Sequence, residues 1–313
     1  MSDWIGWLAW GCMLVPGLGW IGSGKRPRSL GPAVAGSWYP GDEESLARTV
    51  DDLLDTAGSD RNGDPGRIVA LIGPHAGYVY SGRVAGRGFG KIRGKKVSRV
   101  ILIGPSHYEV FHGAVVPDVE VYRTPLGDVE LDRDAIEELA GHPRIATSNR
   151  PFEPEHSLES EIPFLQRVLS PGWRLVPLLL GSGASGAMAQ EIADGLRPLL
   201  DETTLVVVSS DFTHYGPRFG YVPFHDDVQE RIRDLDMGAV ERIERRDLSG
   251  FEDYLQETGA TICGRDAIDV LLRLLPAEVE GRLTAYETSG SLTGDWEHSV
   301  SYAAVTFQRP GTD

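Results

Sequence analysis

The chain has 313 residues, a formal net charge of −16, a charged fraction of 24% and a hydrophobic fraction of 41%. That is the composition of a soluble globular protein with room for a large core, and the negative balance excludes a protein that grips nucleic acid through its phosphates, which requires a basic face. Two cysteines, Cys12 and Cys263, cannot form a disulfide framework; this points to a reducing, cytoplasmic setting with Cys263 free as a thiol.

Residues 1–31 read as an N-terminal extension. From Trp4 to Gly22 there is no charge, and four of the seven tryptophans sit here. The stretch approaches the ~20 residues that span a bilayer. Pro16 and five glycines weaken it as a helix, and Asp3 stands where a signal peptide needs a basic region. The expectation is a disordered or non-native extension. The alternative is a membrane segment over 4–22, with Lys25, Arg26 and Arg28 on the cytoplasmic side.

Folded sequence is expected from about Pro32, as a single α/β domain over 32–310. A helix follows Asp42, with Leu46, Val50, Leu53 and Leu54 as its apolar stripe. Three apolar runs of strand length then end in turns that each deliver a histidine. Arg67–Ile72 leads to Gly73-Pro74-His75, Val97–Ile103 to Gly104-Pro105-Ser106-His107, and Thr204–Val208 to Ser209-Ser210-Asp211-Phe212-Thr213-His214. Runs this rich in Val, Ile and Leu read as strands buried on both faces. Between them fall short strands around Pro117, a turn at Leu126–Asp128, a helix over Asp132–Ala140, and a polar loop, Pro151–Glu161. Trp173–Leu180 reads as a strand, with Pro177 suggesting an edge or a bulge. Ala184–Leu200, Val228–Arg246, Phe251–Glu257 and a segment opened by Thr261–Arg265 read as helices, and Arg282–Ser289 and Ser299–Gln308 as closing strands.

In an open α/β sheet the ligand site lies beyond the carboxyl ends of the strands, so His75, His107 and His214 are placed to converge. The glycines and prolines of the two matched turns hold His75 and His107 on rigid backbone, proline by fixing φ and glycine by allowing unusual angles. One such histidine merely caps a strand end; two matched turns and a third histidine favour a shared metal. If Cys263 sits in the first turn of its helix, the dipole lowers its thiol pKa, and a thiolate with two imidazoles suits Zn²⁺, copper or Fe²⁺. The other readings of Cys263 are a small buried hydrophobe and a nucleophile activated by histidine. Asp211 can orient an imidazole, and His214 can act as acid or base. His156 with Glu159 forms a second charged pair, or else Ser157 and Glu159 cap the following helix. Tyr78, Tyr80 and Tyr108 are candidate pocket walls. His112, His142, His225 and His298 are expected at the solvated surface.

The segments AGSWYPGD, GPHAGYVYSG, GPSHY, EHSLE, SSDFTHYG and ICGRD, in this order, resemble the Memo family, known in prokaryotes as AmmeMemoRadiSam system protein B. The likeness spans 32–308. The resemblance implies a three-layer α/β/α fold with a mostly parallel or mixed sheet, similar to LigB-type class III extradiol dioxygenases, whose non-haem iron sits on two histidines and a carboxylate. It implies a metal on His75, His107 and Cys263, the cysteine standing where the dioxygenases have their carboxylate. It also implies His214 as acid/base, with Asp211 and His156 in the same pocket. A thiolate in place of a carboxylate departs from the oxygenase triad. Three functions stay open: an iron or copper redox enzyme working with O₂ or a reduced oxygen species, a non-catalytic peptide or small-ligand binding module, and a zinc hydrolase. The family's prokaryotic name implies association with radical SAM and Amme-type proteins.

Overall fold

A computed structural model describes residues 27–55 and 67–310. The stretch 4–22, Cys12 and the segment 56–66 lie outside the described residues. In chain order the elements are β1 (Ser29–Leu30), α1 (Glu43–Asp55), β2 (Arg67–Gly73), α2 (Tyr78–Gly90), β3 (Arg99–Pro105), β4 (Ala114–Val116), β5 (Val121–Thr124) and β6 (Gly127–Glu130). There follow α3 (Arg133–Ala140), β7 (Ile145–Thr147), α4 (Ile162–Val168), β8 (Arg174–Leu180), α5 (Ala187–Leu196), β9 (Thr204–Ser209) and β10 (His214–Tyr215). The chain closes with α6 (Val228–Glu244), α7 (Leu248–Thr258), α8 (Arg265–Leu274), β11 (Glu280–Thr288), α9 (Ser289–Thr293) and β12 (Ser299–Arg309).

The main sheet runs β10-β12-β2-β9-β3-β8-β4-β7, with β11 beside β12. Its centre, β2-β9-β3-β8, is parallel, and β12 and β4 flank it antiparallel. Val208 pairs with Ile72 on one side and Ile103 on the other, so the three strands end level and release their turns at one edge. The mixed sheet is flanked by helices. Among them α1, α2 and α4 pack together, as do α5, α8, α7 and α6. Val100, Ile101, Leu102 and Ile103 are fully buried, each worth about 1.5–3 kcal/mol relative to exposure. Those strands therefore make a rigid base for whatever their ends carry.

Three local expectations need correction. Pro177 lies inside the sheet, paired with Leu102 of β3. The Leu175 carbonyl accepts from Asp132 N, so residues 175, 177 and 179 turn their backbone groups away from β3. On that side β4 pairs only with Leu179 and Leu180, and the missing N–H forfeits no ladder bond. The hairpin turn is Pro125-Leu126, one residue earlier than expected, because Gly127 (φ 113°) and Asp128 already pair with Thr124 and Arg123. Ordered chain also starts before Pro32, since Ser29 and Leu30 pair with Val121 and Tyr122 in a small second sheet. Among the described residues no helix is long and apolar enough to cross a membrane.

Candidate metal centre

The two Gly-Pro turns are built for close approach. Neither Gly73 nor Gly104 has a positive φ, so unusual angles are not why glycine is there. A Cβ on Gly104 would stand 2.7 Å from Leu158 Cδ2 and 3.0 Å from Ser157 Oγ, and one on Gly73 would stand 3.1 Å from Glu161 Oε2. Glycine lets the segment 155–161 lie directly behind both histidine turns.

The imidazoles of His75, His107 and His156, rather than His214 as expected, share one point: each offers a nitrogen within 4.8 Å of the others. Ring centroids are 5.2 Å apart for His75 and His107, 4.6 Å for His107 and His156, and 5.5 Å for His75 and His156. His75 and His156 are buried and His107 lies at the opening. Burial, then the neighbouring imidazoles, hold His75 well below its usual pKa. Burial pushes His156 down to about 4, with the Glu155 charge opposing and His107 adding to the fall. Both rings are thus neutral at physiological pH, the form that binds a metal.

Glu155 anchors one side of the cluster. Its carboxylate accepts from His107 Nδ1 at 2.8 Å, His107 N at 2.5 Å, His156 N at 3.0 Å and Ser157 N at 2.9 Å. Burial works against its charge, but His107 and these amides hold its pKa below the ordinary range. An ionised carboxylate only accepts, so His107 carries its hydrogen on Nδ1 and leaves Nε2 for the cluster. On the other side, His75 Nδ1 lies 2.8 Å from Ser209 Oγ. His156 Nδ1 is buried and makes no hydrogen bond, although Glu155 Oε1 is 3.5 Å away.

Cys263 Sγ sits 3.4 Å from His75 Nε2 and accepts from Asp211 N at 3.2 Å. It precedes the Gly264 N-cap of α8, outside the expected first turn. Its thiol pKa is raised, the opposite of the expectation: burial dominates, the Asp211 charge adds, and the amide bonds are too few to reverse them. Asp211 does not orient an imidazole; its carboxylate accepts from the backbone N of His75 at 2.9 Å. Burial pushes its pKa up to about 6, against the charge of His214 and the amides of His75 and Ala76. His214 Nδ1 lies 2.9 Å and 3.0 Å from the carbonyls of Phe212 and Thr261. Carbonyls only accept, so Nδ1 holds a hydrogen.

Glu159 pairs with neither His156 nor a helix amide. It turns away to accept from the amides of Ala33 and Val34 and from the Tyr39 hydroxyl. That fixes the turn carrying Trp38, whose ring lies 4.3 Å from His156. Ser157 is no cap either, its hydroxyl donating to the Pro105 carbonyl. Tyr78 is buried and donates to the Ser160 carbonyl; it is core, whereas Tyr108 stands edge-on to His156 at 5.8 Å. His112 and His225 are exposed, while His142 and His298 are half-buried. Sequence reasoning missed Glu155, Ser209, Glu161 and Trp38 as parts of the site. The available signal was the crowding of four acids into Pro151–Glu161, beside a histidine. A cavity of about 150 Å³ adjoins Cys263, lined by Ser106, Gly181, Ser182, Arg265 and Asp266 among others.

The family profile described as Memo-like protein matches residues 31–306. The chain belongs to the Memo family. It is 36% identical over 306 residues to the memo-1 homolog of Caenorhabditis elegans, covering 92% of this chain and 85% of that protein. A MEMO1 family protein of Thermococcus kodakarensis is 33% identical, covering 89% and 99%, and protein MEMO1 of Xenopus laevis is 32% identical, covering 86% and 94%. Among solved structures, an uncharacterized protein of Escherichia coli K12 aligns over 77% of this chain and 99% of its own at 14% identity, with a TM-score of 0.47, a likeness too distant to argue from. The Memo match covers every residue of the histidine cluster together with Asp211, His214 and Cys263.

Proposed function

We propose that this Memo protein is a mononuclear metal-dependent redox enzyme, with iron or copper held by His75, His107 and Cys263 and with His156 as a further nitrogen donor. The observation that carries the reading is the meeting of three imidazoles from separate segments within 4.8 Å, with a thiol 3.4 Å from one of them. The donor set fits such an ion: imidazole and thiolate suit borderline and soft metals, and burial keeps the His75 and His156 rings in the neutral form that ligates. A bound ion would supply electron transfer and Lewis acidity. It would also supply the positive charge that frees Cys263 of its proton against burial. The protein's own part is proton handling and enclosure. His214 Nε2 accepts or donates a proton, Asp211 locks the backbone of the His75 turn, and the cavity beside Cys263 receives a small substrate. Zinc in the same ligands would give a hydrolase instead.

The second reading, a peptide or small-ligand binding module, is favoured by one observation. The large hydrophobic residues exposed among the described residues (Val79, Tyr80, Tyr108, Val110 and Phe219) all follow the site-bearing strands. Anaerobic titration with Fe²⁺ and with Cu⁺, each followed by competition with a chelator, separates the two. The redox reading expects one tight equivalent that is weakened in Cys263→Ser; a protein that binds neither ion while keeping its fold supports the module. Radical SAM and Amme-type proteins are proposed partners on family likeness alone, and co-purification tests them.

A further inference from the structure

Ser209 has one hydroxyl proton and three polar neighbours. Its Oγ lies 2.6 Å from the Ser157 carbonyl, 2.8 Å from His75 Nδ1 and 3.1 Å from Glu161 Oε1. The carbonyl can only accept, and it is the shortest contact, so the proton goes there. The two lone pairs left on Oγ face two groups that must therefore both donate. His75 can donate as Nδ1–H. The Glu161 oxygen can donate only from a protonated carboxyl group.

Two independent features agree. Glu161 Oε2 is buried without a hydrogen-bond partner, tolerable for the carbonyl oxygen of an acid and severe for an ion. Glu161 is fully buried, and among the described residues no basic side chain pairs with it; burial pushes its pKa well above the ordinary range, with the Ser209 hydroxyl opposing and the charge of Asp211 adding. We infer that Glu161 is a neutral carboxylic acid that acts through Ser209 as a positioning residue, holding His75 in its Nδ1–H tautomer with Nε2 turned toward Cys263. The acid saturates the serine oxygen, so Ser209 cannot rotate its proton onto His75 and flip the tautomer. The inference deepens the proposed metal centre and rests on that reading only where it concerns metal affinity; the tautomer is a property of the metal-free chain.

Two spectroscopic measurements on the metal-free full-length protein test it. Infrared difference spectra of wild type and Glu161→Gln should show the C=O stretch of a protonated carboxylic acid in wild type alone. Nitrogen NMR with labelled histidine should show His75 as Nδ1–H in wild type and in Glu161→Gln, whose amide still donates to Ser209, and as a mixture of tautomers in Glu161→Met. A carboxylate signature for Glu161, or a Glu161→Gln variant that perturbs His75 as much as Glu161→Met, would overturn the inference. Should Glu161→Met fail to fold, the infrared pair still decides. Co²⁺ binding is then measured on the same samples, with about 10-fold weaker affinity expected in Glu161→Met. Neutral Glu161 with no Co²⁺ bound would retire the metal centre and leave the relay standing; tight Co²⁺ binding with an ionised Glu161 would do the reverse.

Discussion

The two arms that hold His75 and His107 start from the same local design and end differently. Each histidine follows a Gly-Pro turn at the end of a parallel strand, and each has its Nδ1 held from behind. Behind His107 stands Glu155, a carboxylate surrounded by N–H donors, kept ionised despite burial. Behind His75 stands the hydroxyl of Ser209, backed by Glu161, which has one hydrogen bond and one bare oxygen. A carboxylate behind an imidazole raises its basicity, whereas a neutral hydroxyl leaves it weaker. Nearly identical turns thus hold one imidazole against a charged partner and the other against a neutral one. Ser157 ties the arms together, its N–H donating to Glu155 and its carbonyl accepting from Ser209.

Breaking the Glu155 arm should cost most. Glu155→Leu strands the His107 ring N–H and three amides, and stability measured by urea denaturation should fall by about 3 kcal/mol or more. An effect below about 1 kcal/mol would mean that the carboxylate does not anchor the cluster. Ser209→Ala removes one hydroxyl shared by three partners; a loss of about 1–3 kcal/mol is expected by the same assay.

The glycines sharpen the contrast. Gly104→Ala drives a methyl into Leu158 and Ser157, and should destabilise by about 1–3 kcal/mol. Gly73→Ala meets the end of the Glu161 side chain at 3.1 Å and Phe89 Cε2 at 3.4 Å, neither as close as Leu158 is to Gly104, and should cost less than about 1 kcal/mol. Equal melting shifts for the two would contradict the tighter packing of segment 155–161 behind Gly104 than behind Gly73.

The pH dependence of the two arms differs in sign. The folded-state pKa of Glu161 is raised above its ordinary 4.5, so the folded chain keeps a proton that the unfolded chain gives up. Its contribution is complete below that value and is lost as pH rises. Glu155 is depressed below 4.5; its contribution is present above that value and is lost as pH falls. Glu161→Gln should therefore be more stable than wild type at neutral pH, with a flatter decline toward high pH. Glu155→Gln should be less stable at neutral pH and should lose the acid limb. Urea titrations across pH read both, and parallel curves for the two variants would show that the arms do not differ in charge.

Much of the site is legible in the sequence, for physical reasons. A Val/Ile/Leu run ended by Gly-Pro and a histidine one or two residues on marks a buried parallel strand and the end from which its turn leaves, which is enough to bring His75 and His107 to one sheet edge. What fails depends on the path of the chain elsewhere. Glu159 is nearer the start of a helix, and the choice between it and Glu155 is made by where Ala33, Val34 and Tyr39 fold back. A helix end alone would acidify the thiol of Cys263, yet its burial against Asp211 outweighs the amides. Pro177 tolerates the sheet interior because its backbone nitrogen faces the side where β4 pairs only farther along. Each of these is a long-range fact with no local signature.

The claim on which the rest turns is that His75 and His107 belong to one metal site. Elemental analysis of anaerobically purified wild type, His75→Ala and His107→Ala, with circular dichroism as the check on folding, tests it most directly. The account predicts about one equivalent of iron or copper per wild-type chain and its loss from both folded variants. A folded wild type without stoichiometric metal, or variants that retain it, would contradict the account.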